Sequence, residues 1–128
     1  MSLFTPASWT LRIAGLLALV IGLELWSGTG GVLVPVHMLL GVIAVVALWA
    51  LAFLQARMPG GSKGLSAVAF VFGLLVPVAG IGQLSFLATG GRLLAQLVHV
   101  ALAMAVIGLG EACAGRIRRA QVGGERTA

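Results

Sequence analysis

Residues 32–55 read VLVPVHMLLGVIAVVALWALAFLQ, from Val32 to Gln55, with no Asp, Glu, Lys or Arg among them. A helix of that length crosses the roughly 30 Å hydrocarbon core of a bilayer. Turn-forming stretches bound it: Ser27-Gly28-Thr29-Gly30-Gly31 before, and Arg57-Met58-Pro59-Gly60-Gly61-Ser62-Lys63-Gly64 after. Moving outward, Thr5 and Pro6 read as an N-cap and a first-turn proline opening an apolar run that ends at Trp26. A third run goes from Leu65 to Leu87, with Pro77 inside it as an expected kink. Thr89-Gly90-Gly91 is the next turn, and Arg92 to Ala114 is the last run. The reading is an all-α integral membrane four-helix bundle of two helical hairpins, with both chain ends on the same side. Its spans are expected at about 6–26, 32–55, 65–87 and 92–114, within a domain over 1–114, and a loose basic tail over 115–128.

Composition supports this reading. Of 128 residues 60% are hydrophobic and 9% charged, and mean hydropathy is +1.14. A soluble chain is about one quarter charged, because a water-facing surface needs interspersed charge. The stretch after Trp26 has no Ala-x-Ala cleavage site, so the first run is expected to be retained as a span. Cys113 is the single cysteine, which excludes an intramolecular disulfide and a Cys-x-x-Cys redox or zinc motif.

The charges punctuate the spans. Arg12, Arg57, Lys63, Arg116, Arg118, Arg119 and Arg126 fall on the side shared by the chain ends and the second connection, leaving Arg92 alone on the other. Such a bias places both ends in the cytoplasm, in a plasma (inner) membrane of bacterial type. The net charge of +5 is therefore a topology signal. Arg116-Ile117-Arg118-Arg119 follows a span directly and reads as a stop signal that attracts anionic lipid headgroups, so no nucleic-acid partner is expected. No P-loop, dinucleotide fingerprint, serine-nucleophile set or paired-carboxylate site is present. A weak internal repeat at an offset of 60 matches Ile21-Gly22, Trp26 and Thr29-Gly30-Gly31 with Ile81-Gly82, Phe86 and Thr89-Gly90-Gly91, as if one hairpin were duplicated.

Each span carries a polar side chain in its outer half: Glu24, His37, Gln83 and His99. Helical rise puts them roughly 9 to 14 Å below the glycine turns, within one helical pitch of each other. Polar groups at that depth are costly, which makes them functional candidates. His37 and His99 lie on spans that run in the same direction, so their imidazoles approach from matching levels. That arrangement suits one b-type haem, ligated on each face of the iron by a histidine. Gly41 and Ala103, each four residues after a histidine, are small residues on the ligand's own face, where a bulky one would meet the porphyrin. Arg92, two turns before His99, is placed to meet a haem propionate. Gln96 shares the His99 face, and Glu24 or Gln83 is expected to accept a proton from an imidazole nitrogen and fix its ring.

With these residues the sequence resembles the four-helix membrane cytochromes b, including the cytochrome b561-like proteins. The resemblance covers the four-span layout and two stretches, His37-Met38-Leu39-Leu40-Gly41 and Leu97-Val98-His99-Val100-Ala101-Leu102. It implies an electron-transfer subunit, exchanging electrons with a quinone or a partner protein and held in a larger membrane complex or a homo-oligomer. Members of that class commonly carry two haems on four histidines. This chain has two histidines, so one bis-histidine haem per chain is the most it can hold. The competing readings are a cofactor-free accessory subunit of a larger membrane complex whose polar layer joins helices, a small exporter using Glu24, and a transition-metal site of His37, His99 and Glu24.

Overall fold

The computed structural model describes residues 4–86 and 90–127. Its α-helices are α1 (Phe4–Trp26), α2 (Val34–Arg57), α3 (Lys63–Phe86) and α4 (Arg92–Thr127), with a single 3-10 turn over Gly31–Leu33 leading into α2. No strand occurs among the described residues. Four helical segments are long and apolar enough to cross a membrane, and the chain is an all-helical, multi-pass bundle. Leu87 and Thr89, expected at the end of the third span and in the second glycine turn, lie outside the described residues.

The parallel helices α2 and α4 touch each other. Each of α1 and α3 packs on both of them, and among the described residues α1 and α3 do not meet. The two helices carrying the histidines are therefore the central pair. Leu11, Leu48, Leu51, Ala69, Cys113 and Ile117 anchor the common core, which sits toward the end where α1 and α3 begin. Small residues allow the close approach that lipid-embedded helices rely on for cohesion. Gly110 of α4 leaves the space that the Leu11 side chain fills, and a Cβ on Gly15 of α1 would stand 3.2 Å from Ile107. Leu16, Leu39, Val78 and Leu94 stay exposed on the outside, a surface that only lipid or a partner can cover.

The two ends are built differently. At the glycine-turn end, Gly28 (φ +85°) and Gly30 (φ +71°) take the left-handed conformation that a side chain resists. Thr29 Oγ1 donates to Glu24 Oε1 at 2.8 Å, and Ser27 Oγ donates to the Glu24 carbonyl at 2.6 Å. At the opposite, basic end the connection between α2 and α3 is pinned by Gln55, which is 1% exposed. Its Nε2 donates to the Ser62 carbonyl (2.9 Å) and to Ser66 Oγ (2.7 Å), while its Oε1 accepts the Ser62 N–H (2.7 Å). Ser62 then caps α3, its Oγ accepting the Leu65 N–H at 3.1 Å.

Two expectations change. Helix α1 starts at Phe4, so Thr5 is inside the first turn, where its carbonyl accepts the Ser8 hydroxyl at 3.0 Å and does not act as an N-cap. Pro77 lies inside α3, as the sequence indicates. The stretch from Gly115, expected to be loose, continues α4 as helix to Thr127. Buried Cys113, Ala114 and Ile117 explain the continuation: the helix carries its apolar stripe past Ala114 and packs it into the core.

Candidate functional site

His37 lies in the first turn of α2 and His99 in the second turn of α4. The packing of α2 on α4 brings their rings to a centroid separation of 6.1 Å, with the ring planes inclined at 60°. Each ring rests on a glycine of the flanking helix of its own hairpin. A Cβ on Gly22 of α1 would stand 3.0 Å from His37 Cε1, and one on Gly80 of α3 would stand 3.0 Å from His99 Cε1. The two hairpins thus repeat one device, an imidazole seated where a facing helix has no side chain.

The next polar contact differs between the halves. His37 Nδ1 lies 2.9 Å from the carbonyl of Ala18, four residues before Gly22. A carbonyl can only accept, so Nδ1 carries a proton, and in the neutral ring Nε2 is then the atom with the free lone pair. The equivalent carbonyl for His99, four residues before Gly80, belongs to Val76. It lies close to the ring, yet no hydrogen bond of ordinary geometry forms, and His99 Nδ1 is buried with no hydrogen-bond partner among the described residues. A buried polar atom left unpaired costs about 1–3 kcal/mol, so this nitrogen is the conspicuous gap in an otherwise matched pair.

The structure places the other expected residues as follows. Gly41 has no atom within 4 Å of where its Cβ would be, so open space lies beside it, one turn beyond His37. Ala103 and Gln96 are half-buried on the α4 segment that carries His99. Arg92 is exposed and makes no ion pair among the described residues. Gln83 is half-buried and makes no side-chain hydrogen bond within the described chain. The proposed ring-fixing role of Glu24 and Gln83 is not what forms: the fixing group at His37 is a backbone carbonyl, and the Glu24 carboxylate is held by Thr29 in the turn. The three-ligand metal site of His37, His99 and Glu24 does not form either, since no group of three His, Cys, Asp or Glu side chains comes together among the described residues.

A second polar feature is a carboxylate–guanidinium pair between α1 and α4. Arg12 Nε donates to Glu111 Oε1 at 2.6 Å and its second nitrogen to Oε2 at 2.9 Å, a two-pronged contact with Trp9 packed 5.4 Å beneath the guanidinium. By sequence Arg12 reads as an orientation signal alone. Its depth, about 12 Å along α1 from Phe4, was the available hint that it needed a partner. The offset of 60 pairs Gly22 with Gly82, but Gly82 faces open space and Gly80 does the equivalent work.

No protein-family model, curated protein or solved structure matches this chain.

Proposed function

We propose that the chain holds one b-type haem between His37 and His99 and serves as an electron-transfer subunit of a membrane redox assembly. The observation that carries this reading is the facing pair of imidazoles on parallel helices, with ring centres 6.1 Å apart. That separation is within reach of two imidazoles sharing one metal ion at metal–nitrogen distances of about 2 Å. The haem, when bound, supplies reversible one-electron chemistry at its iron. The protein's part is to hold the ligands. The Ala18 carbonyl accepts a hydrogen bond from His37 Nδ1–H and would leave Nε2 free to ligate, a common way of orienting a metal-binding imidazole. Gly22 and Gly80 seat the rings, and no atom lies within 4 Å of where a Cβ on Gly41 would be, one turn beyond His37. Exposed Arg92 at the same end is available to a propionate.

The resemblance to four-helix membrane cytochromes b agrees with this assignment, and two histidines limit the chain to a single site near the glycine-turn end. Electrons would then pass between that end and a quinone or a partner protein, since crossing the whole bilayer requires a further centre. We place the basic end in the cytoplasm of a bacterial-type plasma membrane, on the charge bias. The test is the visible absorption spectrum of the detergent-purified chain, expressed with haem supplied, oxidised and then reduced. A Soret band that disappears in His37→Ala plus His99→Ala is expected; no band, or a band that survives both substitutions, overturns the proposal.

One observation favours a second reading, a cofactor-free accessory subunit. The His37–Ala18 bond is by itself an ordinary link between helices. In that reading both histidines are cohesive, and replacing either weakens the bundle without any spectroscopic consequence.

A further inference from the structure

We propose that the basic end contains a binding site for the phosphate of an anionic phospholipid headgroup, formed by Arg116 and Arg119 of α4 against the connection between α2 and α3. The site is independent of the histidine pair. Gln55, Met58, Pro59, Gly60 and Gly61 line one side of a pocket of about 410 Å³, and Arg116, Arg119 and Ala120 line the other.

The arginines are three apart on α4 and so share a face. Neither has an acidic partner among the described residues, where the one ion pair is Arg12–Glu111. The guanidinium of Arg119 folds back along α4 to lie beside Gly115, its nearest nitrogen 3.5 Å from where a Cβ on that glycine would be. It is thereby directed toward the level at which α2 ends. Ile117, between the two arginines in sequence, is fully buried, so this turn of α4 is anchored to the core and the charged face is held in place.

The opposite wall is equally fixed. The three Gln55 hydrogen bonds described above clamp Ser62. Gly60 adopts φ +73°, and the Gly61 N–H donates to the Met58 carbonyl at 2.8 Å. A Cβ on Gly61 would collide with the carbonyl of Gln55 and stand 2.9 Å from those of Ala56 and Met58, so the wall is a tight turn that only glycine permits. Its position matters for the ligand. Arg57 is the last residue of one apolar span and Lys63 the first of the next, which sets the pocket at the boundary between hydrocarbon and water. Two guanidiniums without an acidic partner among the described residues, held at that level, are suited to a tetrahedral phosphate oxyanion. A basic pocket between spans on this side is also where headgroup phosphates are bound in membrane proteins generally.

The test uses the full chain in detergent, with lipid binding followed by native mass spectrometry as phosphatidylglycerol or phosphatidylcholine is added. Preference for phosphatidylglycerol is expected. Each of Arg116→Gln and Arg119→Gln should weaken that binding about fivefold, in line with the contribution of one basic residue near a charged membrane surface. Arg118→Gln removes the same charge from a residue outside the pocket and should weaken binding less than either pocket variant. Equal losses for all three variants would mean diffuse charge and not a site, and absence of preference for phosphatidylglycerol would also overturn the proposal. Inorganic phosphate is the remaining arm. If it saturates the same arginines while added lipid brings no gain, the ligand is a soluble phosphate and the lipid assignment is wrong.

Discussion

Replacing Gly80 by alanine puts the most direct strain on the paired-imidazole site. The new methyl group would lie 3.0 Å from His99 Cε1, where ordinary contacts start near 3.4 Å, so the ring must move by a few tenths of an ångström or α3 must shift away. Bond lengths at a metal centre tolerate only about 0.2 Å, and disturbing the groups that orient a ligating histidine typically costs 10- to 100-fold in metal affinity. Gly80→Ala is therefore expected to weaken haem binding at least about tenfold, read from the Soret band during haem titration. Overpacking should also lower stability by about 1–3 kcal/mol, read from unfolding in mixed detergent micelles. Gly82→Ala is the matched control. The same helix has nothing within 4 Å of that position, so alanine there is expected to be neutral or to stabilise by up to about 1 kcal/mol through helix propensity. The comparison bears on the seating of His99 whether or not haem is present, because the stability difference does not depend on it. If the two variants behave alike in both assays, or if Gly82→Ala is the more damaging, the assignment of Gly80 as the seat of His99 is refuted.

Arg12→Gln and Glu111→Gln each leave an unpartnered charge within a span, so both should lower the unfolding midpoint; the exchange Arg12→Glu with Glu111→Arg should recover most of the loss, and failure to recover would show that the pair contributes nothing as a pair. Gln55→Leu removes three hydrogen bonds that hold Ser62 and Ser66. A destabilisation of about 1–3 kcal/mol is expected, with faster hydrogen exchange at the Ser62 amide as the local signature. Ile117→Ala opens a cavity at a fully buried position and should cost about 2–5 kcal/mol, and exchange should accelerate across residues 115–124 if that side chain is what holds the extension of α4.

The spans were readable because crossing a bilayer is a local requirement: a run such as Val32–Gln55 is apolar and long enough wherever it sits in the chain. The matched depth of His37 and His99 was equally accessible, since rise per residue counted from a glycine turn gives a level. Their approach to 6.1 Å agrees with that count. The rest of the site was hidden for a specific reason. In a helix that is apolar all round, periodicity marks no inward face, so nothing distinguished Gly80 from Gly82 or showed that Ala18 would present a carbonyl to His37. Arg12 illustrates the opposite error. Its charge invited a topological reading, while Glu111, distant in the chain, was the partner that gives it a structural one.

What this chain's residues determined unaided is its number of spans, their order, and the levels of the polar groups along them, because hydropathy and helical rise act through neighbours in sequence. The tertiary structure alone decided rotation and adjacency: that α2 and α4 are the central pair, that each imidazole is seated on a glycine, and that α1 and α4 are linked by an ion pair. Those outcomes depend on which small residues let which backbones approach, a property of two surfaces in contact that neither helix carries by itself.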